Sequence, residues 1–256
     1  MNRRNLMIEC DNLQQLKIDG PALCLQVRGK SRQWFPLRRI ASIICVQFPS
    51  VGLRALAQAA HQGIPVNIFD RKGRLLVQMI HPGTLPSSFG HWIEAIPHDP
   101  ALGRTYDAWL ENQLRHTYGM IGCVTCNSGN SAMAAREQLA KLTKRNQCDA
   151  LIKEARDWFE GLLTAQLQVH AARLGLSPSS LHLARMTGDL LEAGVLLCLT
   201  IVAANAKNSR LLSERRVQRF HECHLAPKVD QWIARALHTL ANQLEQTAML
   251  HDQPPR

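Results

Sequence analysis

Aromatic residues are scarce in this 256-residue chain: Trp, Tyr and Phe make up 5%, with only two Tyr. That argues against a nucleic-acid surface dominated by base-stacking rings. No hydrophobic run reaches bilayer length. The longest, residues 193–206, contains Thr200 and is too short to span hydrocarbon, so it reads as a buried central helix. Residues 1–11 hold no apolar stretch of signal-peptide length. There is no internal repeat and no low-complexity tract. The eight cysteines are scattered, several in apolar runs, and Cys123-x-x-Cys126 has no second Cys-x-x-Cys to complete a zinc site. Buried, reduced thiols in the cytoplasm are the expectation, with no membrane role. Zinc at Cys123 and Cys126 would need partners such as His221, Cys223 or His224.

Hydrophobic residues make up 46% of the chain, enough to bury a core in one large domain or two modest ones. Thirty Lys and Arg against twenty Asp and Glu give a net charge of +10. Such a balance suits a phosphate backbone, whose counterions clustered cations release. A merely solvated basic surface is the plainer alternative.

The pattern changes near residue 82. Residues 13–82 read as strand, turn, strand, turn, strand, helix, strand, turn, strand. Leu23, Leu25 and Val27 alternate with Cys24, Gln26 and Arg28, a half-buried strand bounded by Asp19-Gly20-Pro21 and Gly29-Lys30-Ser31. Residues 40–47 form a more buried β-branched strand. Ser50 then reads as an N-cap, with Leu53, Leu56, Ala57 and Ala60 as the apolar helix face and Gly63 as the stop. Residues 65–69 and 74–81 flank the turn Asp70-Arg71-Lys72-Gly73. Residues 83–100 read as a linker. Asp99-Pro100 opens a helix carrying Tyr106, Trp109, Leu110 and Leu114, and a break follows at 119–129. Helices are expected over 131–144, 149–174 and 190–206, and a last one carries Val229, Trp232, Ile233, Ala236, Leu237, Leu240 and Leu244. The fold class is thus α+β: a β-rich N-terminal domain with one helix over 1–82, a linker over 83–100, and an all-α domain over 101–256.

The N-terminal segment resembles the CRISPR-associated integrase–endonuclease of spacer acquisition, the Cas-one family. The carrying residues are Leu13 to Gly20, the hairpin to Gly29, Phe35-Pro36-Leu37 leading into residues 40–46, and Leu53-Arg54-Ala55-Leu56. Most specific is Gly63-Ile64-Pro65-Val66-Asn67-Ile68-Phe69-Asp70-Arg71-Lys72-Gly73-Arg74-Leu75. Further on, Glu111-Asn112-Gln113-Leu114 resembles the family's Asn-Gln helix. Gly175-Leu176-Ser177-Pro178 with Leu181-His182 resembles its "GLDP…LH" segment, and Gly188-Asp189-Leu190-Leu191-Glu192 its "LDLME" segment. Residues 215–225 resemble its basic C-terminal region. The resemblance implies a homodimer built by the β unit, a helical unit carrying a divalent metal (Mg or Mn), DNA as substrate, and a small Cas-two-like protein as partner.

The chemistry so implied breaks or transesterifies phosphodiesters, with a Glu, a His and an Asp from the helical unit on one ion. By resemblance His182 matches the His and Asp189 the Asp, with Glu192 beside them. The Glu position falls in Gly129-Asn130-Ser131-Ala132-Met133-Ala134-Ala135-Arg136 and is occupied by Ser131, a far poorer ligand. The interval from His182 to Asp189 is shorter than the family's, although i and i+7 can share one side of a helix. The Arg-Pro pair that usually follows Glu192 is missing. Glu137 lies on the same expected helix as Ser131 but projects about 120° away; Glu154 and Glu160 sit too close to Gly175 for the family layout. The plainer reading of Asp189 is a helix N-cap, with Glu192 closing a capping box. His182 alone would be an ordinary capping or surface histidine.

Phosphate contact is expected first of Arg210, Arg215, Arg216, Arg219 and His221, with His224 nearby. Arg3, Arg4, Arg38, Arg39, Lys141, Lys144 and Arg145 are secondary candidates. The expected function is DNA binding of the CRISPR-adaptation type, with metal chemistry weakened or lost at Ser131. Two alternatives stay open: a metal-dependent endonuclease or integrase with a rearranged site built from Asp189, His182 and Glu192 or Glu137, and a non-catalytic protein-interaction module.

Overall fold

The computed structural model describes residues 3–81, 88–125, 131–176, 181–206 and 225–251, and for 123–125, 181–185, 187, 189 and 251 the backbone alone. The chain divides into two compact units, Met1–Pro82 and Gly83–Arg256. A β-containing unit is followed by a helical one, the α+β class expected from the sequence.

In the first unit seven strands form two sheets. Strands β1 (Arg4–Glu9), β5 (Ile40–Val46), β6 (Val66–Phe69) and β7 (Leu75–Met79) make a four-stranded sheet in the order β1-β5-β6-β7. β1 and β6 run parallel to β5, and β7 runs antiparallel to β6. Strands β2 (Leu13–Asp19), β3 (Ala22–Val27) and β4 (Gln33–Pro36) make a three-stranded antiparallel meander. The sequence reading omitted β1 and β4. β1 is polar at both ends and is held by pairing with β5, more than thirty residues away in sequence. β4 is a four-residue edge strand ending in a proline, a place where proline removes no ladder bond.

Helix α1 (Leu53–His61) joins β5 to β6. Its cap is Gly52, not Ser50, and its buried face is Ala55, Leu56, Ala59 and Ala60, turned from the expected one so that Leu53 and Ala57 face outward. The turn into the helix explains the shift. Gly52 sits at φ +84°, and a Cβ there would stand 2.4 Å from Leu16 Cβ and 2.8 Å from Leu16 O. Only a residue without a side chain lets the entry to α1 close against β2, and that closure sets the helix rotation. The β6–β7 turn is as expected: Asp70 Oδ1 accepts from the amides of Lys72 at 2.8 Å and Arg74 at 2.9 Å, while Gly73 takes φ +87°. One core unites both sheets and α1, with Ile8, Leu16, Leu23, Leu25, Ile43, Leu56, Val66 and Ile68 among its members.

The helical unit has α2 (Ser88–Ala95), α3 (Pro100–Thr125), α4 (Ala132–Asn146), α5 (Asp149–Arg173), α6 (Leu181–Asn205) and α7 (Ala226–His251). The segment expected as a linker contains α2, whose Phe89 and Ile93 are buried in the helical core. Prolines at either side masked a short amphipathic helix. Asp99 caps α3 as expected, its Oδ1 accepting from Ala101 N at 2.7 Å and Leu102 N at 3.3 Å. α3 runs through Gly119 to Thr125, past the expected break. α6 begins nine residues before its expected start, so Asp189 lies inside a helix and is not an N-cap.

α6 packs on α3, α4 and α5, and α7 packs on α2, α3 and α5. Thr200, the polar residue in the apolar run, is fully buried and donates its hydroxyl to Leu196 O at 2.7 Å, so no polar atom is stranded. Trp109 Nε1 donates to Ala236 O at 2.9 Å, tying α3 to α7. Gly194 leaves room for the Trp232 ring, which would stand 3.3 Å from an added Cβ. No helix among the described residues is long and apolar enough to cross a membrane.

Gly52→Ala is expected to destabilise the first unit by about 1–3 kcal/mol, through strain at positive φ and the clash with Leu16. Urea unfolding of the variant beside the native chain measures it, and an unchanged midpoint would contradict the close approach.

Candidate catalytic region and basic surfaces

The segments that resemble the metal-binding ones meet where α4 starts and α6 passes. Ser131, in the position expected of a Glu, is the N-cap of α4. Its backbone is extended (φ −125°, ψ 158°) and its Oγ accepts the Ala134 N–H at 3.3 Å. A hydroxyl so placed satisfies one of the amides left open at a helix start. Five residues on, Arg136 crosses to α6 and pairs with Glu192. That hydrogen bond and the charge beside it hold the guanidinium above its ordinary value. Tyr118 of α3 shares this electrostatic neighbourhood. Burial first, then the Glu192 carboxylate, pushes its phenol up, with Arg136 opposing.

Glu192 thus already has Arg136 as its partner, in an exposed ion pair that runs from α4 to α6. Glu137 is exposed and pairs with Lys141 one turn on, at 2.6 Å, which lowers its carboxyl below the usual range. Glu154 and Glu160 lie on exposed positions of α5. His182 and Asp189 both fall on the unbroken α6, seven residues and so about 10.5 Å of axial rise apart. An i, i+4 pair, the spacing by which two side chains of one helix usually share an ion, is only about 6 Å apart. The side chains of His182 and Asp189 lie outside what is described. Among the described residues no three His, Cys, Asp or Glu side chains group so as to hold a metal. Of the residues that are described, Ser131 at the expected carboxylate position caps a helix, and Glu192, close to Asp189 in sequence, pairs with Arg136.

Arg210, Arg215, Arg216, Arg219 and His221, together with Cys126, Cys223 and His224, lie outside the described residues, and only the backbone of Cys123 is described. Among the described cysteines, Cys10, Cys24, Cys45, Cys148 and Cys198 are buried and in no disulfide, and burial pushes the Cys198 thiol up to about 12.

Two features escaped the sequence reading. His170 of α5, buried, meets Asp230 of α7 at 2.8 Å, and this bond holds the Asp230 carboxyl below its ordinary value. His170 stands among apolar residues at a spacing that announces a core position, so nothing local marks its partner sixty residues away. The second is where the charge lies. Residues 1–82 hold twelve Lys and Arg against four Asp and Glu, a net +8 of the chain's +10; residues 83–256 hold eighteen against sixteen. That count could have been made from the sequence once the unit boundary was drawn.

Residues 11–88 match the family model described as CRISPR associated protein Cas1. No curated protein sequence matches. The fold is similar to that of a Cas1 protein from Thermotoga maritima, with TM-score 0.69 and 13% identity over 94% of this chain and 95% of that one. It is similar to a casposase bound to integration product, with TM-score 0.67 and 13% identity over 94% and 91% of the two chains. A third similar structure is TtCas1 in a complex with DNA, with TM-score 0.64 and 14% identity over 98% and 94%. The family-model match falls largely within the N-terminal unit, and the similarity of fold extends over nearly the whole chain.

Ser131→Ala is expected to cost about 1 kcal/mol of stability through loss of the cap, read as a lowered urea midpoint. The Asp230 pair predicts an acid dependence. A carboxyl held below its unfolded value of about 3.9 stabilises fully above that pH and loses its contribution as pH falls through its folded value. Asp230→Ala should cost about 0.5–1 kcal/mol at neutral pH, since the pair is half exposed. The difference from the native chain should begin to shrink only as pH falls below about 4, and a difference that stayed constant on further acidification would assign the loss to packing instead.

Proposed function

We propose that this divergent relative of the Cas1 family is a DNA-binding protein of the CRISPR-adaptation type, a scaffold for short DNA whose metal-dependent phosphodiester chemistry is weakened or lost. The observation that carries the reading is Ser131 acting as a helix cap at the position expected of a metal-binding Glu. The Arg136–Glu192 pair supports it, because the one described carboxylate of the "LDLME"-like segment already has a cationic partner.

DNA as the partner is supported by the basic balance of the chain and by the DNA-bound state of a protein sharing its fold. A casposase bound to integration product, with the same fold, supports an integrase-like ancestry. A homodimer through the β unit, a small Cas-two-like partner and a cytoplasmic setting complete the proposal on the strength of the resemblance.

The test incubates the purified protein with duplex and branched DNA in manganese or magnesium, beside Asp189→Ala. The expected outcome is binding that weakens steeply as salt rises, as counterion release requires, without nicking or strand joining. Metal-dependent cleavage or joining that disappears in Asp189→Ala would overturn the loss of chemistry. Binding that ignores salt, or none at all, would overturn the DNA assignment and favour a protein-interaction module.

A further inference from the structure

The outer face of the three-stranded sheet carries a feature that the Cas1-type reading leaves unused. Trp34 on β4 is 54% exposed, the full width of an indole offered to solvent in a chain with few aromatics. Its register partner on β3 is Cys24, which in turn faces Lys17 on β2. Leu23 and Leu25, the alternating neighbours of Cys24, belong to the core. Cys24, Trp34 and Lys17 therefore share the opposite face. Two residues before Trp34, Arg32 points to that same face and bonds Gln26 Oε1 across the hairpin, with Nε and Nη2 both at 3.4 Å. Arg28 and Lys30 complete the hairpin tip, both exposed, with Gly29 at φ +76° making the turn.

Three exposed cations, Arg28, Lys30 and Arg32, thus share this hydrogen-bonded hairpin with one exposed ring, while its register partner Cys24 is itself buried and Lys17 is paired with Asp19. The unit that bears them has few acids to neutralise them. Asp11 pairs with Arg71 and Asp19 with Lys17, and the Asp70 carboxylate caps its own turn. Cations along a groove with an aromatic face between them are the recurring elements of single-strand nucleic-acid binding. The ring stacks an unpaired base and the cations take the flanking phosphates. A base inside a duplex already has both faces covered by its neighbours, so this arrangement selects an unpaired strand. The same excess of positive charge makes the face a poor complement to a second copy of itself.

We infer that the β3–β4 hairpin is a binding site for unpaired nucleotide strand, with Trp34 as the stacking residue and Arg28, Lys30 and Arg32 as its phosphate contacts. The inference rests on the DNA-binding reading and assigns it a surface in the first unit.

Fluorescence anisotropy with labelled oligo(dT) and oligo(rU) of about twenty nucleotides and a blunt duplex, from about 50 to 200 mM salt, tests it. Trp34→Ala should weaken oligo(dT) binding by about tenfold or more, leave blunt-duplex binding nearly unchanged, and leave the elution volume unchanged. Trp34→Phe should recover most of the affinity. The Arg28→Ala, Lys30→Ala double variant should weaken every probe and flatten the salt dependence. The rU arm tells whether the site discriminates by sugar. Three results would overturn the site: oligo(dT) binding unaffected by Trp34→Ala, equal losses on duplex and single strand, or a changed oligomeric state in Trp34→Ala, which would make the face a self-association surface. Failure of the native chain to bind any DNA would instead remove the DNA-binding reading itself, so the two failures are distinguishable.

Discussion

Burial of α6 is the constraint on which the helical unit depends. From Leu190 to Ala203 this helix is apolar nearly all round, with Leu190, Val195, Leu196, Leu199 and Val202 almost fully buried. Each such side chain contributes roughly 1.5–3 kcal/mol when removed from water. A helix of that kind has to be covered on several sides, and α3, α4 and α5 are the elements that cover it. The cover determines what the N-terminal half of α6 and the start of α4 can do. Once α4 lies along α6, Arg136 is placed against Glu192, and Asn146 Nδ2 reaches Ala203 O at 2.6 Å near the other end. The region where catalytic residues would be sought is therefore shaped by packing first.

A metal site needs charged oxygens held together against their own repulsion, and the ion offsets that cost. Here a neutral hydroxyl caps α4 and a guanidinium holds the carboxylate that remains. Both arrangements are locally satisfied without an ion, and both hold the helices where the core already requires them. Capping and ion pairing supply that local satisfaction.

The two units divide the physical work. The helical unit is close to electrically balanced and invests in apolar packing, while the first unit carries nearly all the net positive charge on a small, sheet-built frame. Short antiparallel strands suit that task. They fix side chains at alternate positions on a stiff ribbon, so that Arg32 and Trp34 face the same way without help from a distant element. Charge on such a frame serves recognition more than stability, since exposed cations contribute little to folding.

Much of this was legible in the residues themselves. The Asp-Arg-Lys-Gly turn, Asp99-Pro100 as a helix start, and the helical spacing of the apolar residues in α7 are local signals, read from neighbours within a few positions. The alternation expected over residues 23–28, by contrast, fails at Cys24, which is buried together with Leu23 and Leu25. What local pattern did not determine were relations between distant residues. β1 is a strand because β5 lies beside it. The rotation of α1 follows from Gly52 closing on Leu16. α6 extends back to Leu181 because a helix forms wherever packing allows it, so Asp189 became an interior residue despite its cap-like context. His170 and Asp230, or Arg136 and Glu192, meet only across helices. Sequence determined the elements that depend on short-range geometry. Tertiary structure alone decided which side chains met, because those encounters depend on helices and strands packed together from far apart along the chain.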